Sequence, residues 1–146
     1  MALEFYRFIK THARNQPDHP AIIDGETTVT YAQLLEQVER FAGGLDSLAI
    51  NPDSKLGLLC LNQKEYLIAL LGALLKGLPV VPYNFMLTPE DLIYITQDAG
   101  VDHLVINPAF IKPETAPFFS KFKTRITTSP APDSGLPIDG TIPFEH

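Results

Sequence analysis

The sequence predicts an α/β fold: a partly parallel sheet with helices packed on both faces. Three observations in residues 55–84 (KLGLLCLNQKEYLIALLGALLKGLPVVPYN) predict it. First, an apolar run over 56–61 reads as a buried strand, and 78–82 reads as a second. Second, an apolar helix joins them, opened by Asn62 with Glu65 three residues on. Third, Gly77 stands where the chain must turn sharply out of that helix. Two apolar runs joined by a helical crossover are the pattern of parallel strands covered on their faces.

The other elements follow from local chemistry. Residues 3–14 place Phe5, Phe8, Ile9 and Ala13 on one face of a helix, and Asn15-Gln16 before Pro17 stops it. Residues 21–23 form a short strand, Asp24-Gly25 a hairpin turn, and residues 27–30 the return strand. Thr30 and Gln33 make a capping box for the next helix. Its apolar stripe is Leu34, Leu35, Val38, Phe41, Ala42, Leu45 and Leu48. Gly43-Gly44 interrupts that helix at about 1 kcal/mol per glycine, which close approach to a neighbouring element would explain.

After a turn at Asn51-Pro52-Asp53 comes the crossover unit, with Asn62 and Glu65 as the expected capping pair. Between Tyr66 and Leu75 the helix is apolar all round and is expected to be buried on most sides. Gly77 fits a left-handed helix end. Pro79 and Pro82 make the following strand short or place it at an edge. Thr88-Pro89-Glu90-Asp91 starts another helix: a cap, a proline in the first turn and two acids at the positive end of the dipole. Leu92, Ile95, Thr96 and Ala99 are its inner stripe and Gly100 its stop; residues 103–106 are the next strand. Residues 1–107 thus read as one α/β subdomain. Prolines thicken after Asn107, so 108–146 reads as a proline-rich continuation. Within it, 113–122 hold a short helix with Phe118, Phe119 and Phe122 inward, 125–128 a strand, and 129–146 a surface excursion.

Composition narrows the function. Hydrophobic residues make up 45% and charged residues 19%, enough for a packed core. The net charge of −6 and the absence of a basic stripe argue against a nucleic-acid partner. No secretory signal or membrane span is read, so a cytoplasmic protein is expected. The one cysteine, Cys60, sits in an apolar strand and reads as a buried hydrophobe. His12, His19, His103 and His146 are scattered, so no metal site is expected. Glu90 and Asp91 are adjacent, point to different helix faces and do not make a catalytic acid pair. No G-x-S-x-G elbow, G-x-x-x-x-G-K-[ST] loop or G-x-G-x-x-G turn occurs. A small flavodoxin-like nucleotide binder would need a phosphate-gripping loop after the first parallel strand, and Leu61-Asn62-Gln63 is too short and bulky for one.

Over residues 11–107 the order of these pieces resembles the N-terminal part of the adenylate-forming superfamily of acyl- and aryl-CoA synthetases and AMP-dependent ligases. The matching marks are P-x-x-P-A at 17–21, T-Y-x-x-L at 30–34, N-x-x-E at 62–65, and the helix start T-P-E-D-L at 88–92. Leu61 stands where the family commonly has proline. The resemblance implies an enzyme that uses ATP and Mg to turn a carboxylate into an acyl-adenylate and passes the acyl group to a thiol, usually coenzyme A. The motifs that do this chemistry in the family follow the region matched here. No catalytic, cofactor-binding or metal residue is therefore carried over, and this stretch alone is expected to be inactive. Its expected partner is the remainder of the large adenylation domain. The alternative is a free-standing interaction module that associates with itself or a relative through an exposed apolar surface. Tyr83, Asn84 and Phe85 lie just past a strand's carboxyl end, where open α/β sheets place ligand contacts, and are the substrate-pocket candidates; turn and core roles are the competing explanation.

Overall fold

The computed structural model describes residues 2–128 and 141–144. They fall into two compact units, one of residues 1–52 and 62–78, the other of residues 53–61 and 79–146.

The first unit holds α1 (Ala2–Asn15), a hairpin of β1 (Pro20–Asp24) and β2 (Thr27–Thr30), α2 (Tyr31–Ser47) and α3 (Lys64–Leu75). The hairpin is antiparallel and turns through Gly25 at φ 59°, as the Asp-Gly pair predicts. The expected capping box opens α2: the Thr30 hydroxyl accepts from the Gln33 N–H, and the Gln33 side chain accepts from the Thr30 N–H. Leu34, Val38, Phe41, Ala42 and Leu45 are its buried stripe.

One glycine reading changes. A methyl group at Gly43 would meet nothing within 4 Å, so close approach does not explain that residue. The close approach is at Gly72 of α3, where a Cβ would lie 2.7 Å from the Phe41 ring and 3.2 Å from the Val38 carbonyl oxygen. Gly72 lets α2 and α3 pack against each other.

The start of α3 also differs from expectation. Asn62 is not its cap: the cap position is Gln63, whose side chain makes no capping bond and instead donates to Glu65 at 3.0 Å. The Asp24 carboxylate takes over, accepting the Lys64 N–H at 2.9 Å. At the other end the prediction holds. Gly77 is left-handed (φ 75°), its N–H bonds to the Leu74 carbonyl and the Leu78 N–H to the Ala73 carbonyl, a Schellman motif. The helix is buried on one face only, through Glu65, Ile68, Ala69, Gly72 and Ala73. Leu67 is 40% exposed. The α1 stripe is also divided, since Phe5 and Phe8 are exposed.

The second unit is built on a five-stranded sheet that is parallel throughout, in the order β4-β3-β5-β6-β7. The strands are β3 (Leu56–Leu59), β4 (Val80–Pro82), β5 (His103–Ile106), β6 (Thr124–Thr127) and β7 (Thr141–Pro143). The α/β fold class with a parallel sheet is therefore present, and β4 is both short and at the edge, as its prolines predict. Every residue of β3 and β5 is buried, as near-continuous apolar runs in a parallel sheet should be.

In this unit α4 (Pro89–Ala99) has the predicted signals: Thr88 caps the Asp91 N–H, Pro89 is in the first turn, and Gly100 ends it at φ 64°. The Lys55 ammonium donates to the Ala99 carbonyl and covers one of the last carbonyls of α4. Beyond β5, α5 (Ala116–Phe119) and the residues after it bury Phe118, Phe119 and Phe122, the three aromatics expected inward. They join Leu59, Tyr83, Leu92, Val101, Leu104 and Ile106 in one core. The surface excursion expected over 129–146 lies outside the described residues except at 141–144, where β7 pairs with β6.

Candidate functional site

Within the second unit the chain leaves β3 for β4 on one side, then crosses to β5 on the other. In open parallel sheets the crevice outside the carboxyl ends, at such a reversal, is where ligands bind. The carboxyl ends here carry Cys60 after β3, Tyr83-Asn84-Phe85 after β4, Asn107 after β5 and Thr128 after β6.

The structure separates the three pocket candidates. Tyr83 belongs to the core. Its N–H bonds to the Leu58 carbonyl at 2.8 Å, its ring meets Phe118 edge-on with centroids 5.5 Å apart, and it is 6% exposed. The ring occupies the space above Gly57, where a Cβ would lie 2.5 Å from it. The Thr96 hydroxyl donates to the Leu92 carbonyl at 2.7 Å, so it can only accept from the Tyr83 hydroxyl, also at 2.7 Å. Burial raises the Tyr83 pKa above its ordinary value, and the bond to Thr96 offsets part of the rise.

Asn84 is exposed and its side-chain Oδ1 accepts the Met86 N–H at 2.9 Å, closing a local turn. Phe85 is 46% exposed and stacks on Phe110, with centroids 5.7 Å apart and planes 22° from parallel. With Met86, 81% exposed, this pair makes an apolar surface at the sheet's carboxyl edge. The surface can hold an apolar group by contact.

The remaining candidates take structural places. Cys60 is buried with its thiol 3.8 Å from the Val105 carbonyl. Asp91 and Thr88 cap each other, the Thr88 hydroxyl donating to the Asp91 carboxylate at 2.8 Å. His12 and His19 both stack on Tyr31, and His103 is buried at the start of β5. Burial lowers the His103 pKa; the Asp102 carboxylate works the other way and Lys123 adds to the lowering. Among the described residues no three His, Cys, Asp or Glu side chains converge to hold a metal ion. No described helix is long and apolar enough to cross a membrane.

A groove of about 340 Å³ in the first unit escaped the sequence reading. Ile22, Ile23, Asp24, Gln63, Tyr66 and Leu67 line it, and Ile23 is 73% exposed. Forty residues separate its two walls, so no local pattern reveals it.

Comparison with known proteins gives the family. The model of the AMP-binding enzyme family matches residues 9–139. A medium/long-chain-fatty-acid–CoA/3-oxocholest-4-en-26-oate–CoA ligase of Mycolicibacterium smegmatis is 37% identical over 89 residues, 61% of this chain and 16% of the ligase. A fatty acid–[acyl-carrier-protein] ligase of Streptomyces coeruleorubidus is 30% identical over 99 residues, 68% of this chain and 19% of the ligase. The chain thus spans less than a fifth of these relatives. Among solved structures, a benzoate CoA ligase from Burkholderia xenovorans LB400 superposes with a TM-score of 0.77 at 25% identity, over 86% of this chain and 26% of the ligase. A Mycobacterium tuberculosis fatty acyl CoA synthetase shares the fold alone, with a TM-score of 0.71 at 22% identity over 84% of this chain and 26% of the synthetase. The chain belongs to the AMP-binding enzyme family, the adenylate-forming superfamily, and corresponds to its N-terminal part.

Proposed function

We propose that this chain is the N-terminal α/β part of an ATP-dependent acyl-CoA synthetase-like ligase of fatty or aryl type. The whole enzyme would activate a carboxylate as its acyl-adenylate and transfer it to a thiol. The single observation that carries this reading is the family match over residues 9–139 to proteins several times longer. Names of the relatives, ligases of fatty acids with CoA or acyl-carrier protein, support the acyl class. The role of this part is structural: residues 1–107 supply strands and helices of the large domain, and 108–146 lead toward its phosphate loop. ATP, Mg and coenzyme A belong to the whole enzyme, in the cytoplasm, with the remainder of the adenylation domain as partner. Developing phosphate charge has no lysine-ended Ser/Thr/Gly-rich loop to stabilise it within these 146 residues, so the chain alone does not adenylate. Of the three pocket candidates, Phe85 alone presents an apolar side chain that an acyl group can meet. Sequencing the DNA after the His146 codon tests the reading. Continuation into a Ser/Thr/Gly-rich loop ending in lysine supports it, and an immediate stop codon contradicts it.

A second reading is favoured by the exposure of Ile23, Phe85 and Met86. We infer that, standing alone, the chain would act as an interaction module through apolar side chains exposed on one or other unit. Light scattering after size exclusion decides: a self-associated species supports this reading, and a strict monomer rejects it.

A further inference from the structure

We draw no further inference here: the strongest candidate, the apolar groove between β1 and the first turn of α3, where Ile22 and Ile23 face Tyr66 and Leu67, is an open surface, and nothing in the structure shows what covers it.

Discussion

Asp24 and Lys64 are forty residues apart in sequence, yet the Asp24 carboxylate accepts the Lys64 N–H at 2.9 Å. A hairpin turn residue thereby caps a distant helix. It satisfies one of the unpaired donors at the start of α3 and places negative charge at the positive end of its dipole. Asp24→Ala should lower stability by about 1 kcal/mol, the usual cost of a lost N-cap. Asp24→Asn should recover most of it, and Asn62→Ala should change little. Urea unfolding of the three variants checks this order.

Two helical glycines should respond in opposite directions. Gly72→Ala drives a methyl group into the Phe41 ring and the Val38 carbonyl, and should destabilise by about 1–3 kcal/mol. Gly43→Ala meets open space in mid-helix and should stabilise by up to about 1 kcal/mol. Thermal melts of the pair give the two signs directly.

The Tyr83 hydroxyl works through Thr96. Tyr83→Phe removes one buried hydrogen bond but leaves Thr96 bonded to the Leu92 carbonyl, so the loss should be about 1 kcal/mol. Tyr83→Ala empties the space above Gly57 and beside Phe118, and should cost about 3–5 kcal/mol. Equal losses in the two variants, measured by urea unfolding, would contradict the core role.

Stability should depend on pH through His103. Its folded pKa lies below the unfolded value of about 6.5 because burial opposes the charged form. Above that value the residue is neutral in both states and costs nothing. Below it the unfolded chain binds the proton first, so stability falls as pH drops toward the folded pKa. Asp102 is held below its ordinary value chiefly by its hydrogen bond to Lys123, so its contribution is lost only at more acidic pH, below about 4. His103→Gln should flatten the slope just below the unfolded value of about pH 6.5. Urea midpoints measured above and below that value in both proteins check it.

Much of the fold was legible because its signals are local. The Thr30–Gln33 box, the Thr88-Pro89 start and the stops at Gly77 and Gly100 each depend on residues a few positions apart, and all four stand. The core aromatics Phe118, Phe119 and Phe122 were legible from spacing. What failed depends on distant partners. Asn62 has good capping chemistry, but the helix starts one residue later and Asp24 already holds the Lys64 N–H. Close approach was expected at Gly43-Gly44, but Gly43 meets open space, whereas Gly72 of the next helix meets the Phe41 ring. Phe5 and Phe8 lie on a predicted helix, but sequence spacing does not say which part of an apolar stripe a neighbour covers. At the candidate site, position past β4 marked Tyr83, Asn84 and Phe85 together. Strand alternation, a local turn and a ring stack then sent them into the core, the turn and the surface.

The most direct measurement of the account is ATP–pyrophosphate exchange by the purified 146-residue chain, shown folded by circular dichroism and supplied with magnesium and a panel of fatty and aryl acids. The account predicts exchange at background with every acid. Acid-dependent exchange above background, retained through repurification, would show that these residues already contain the adenylating machinery and would contradict it.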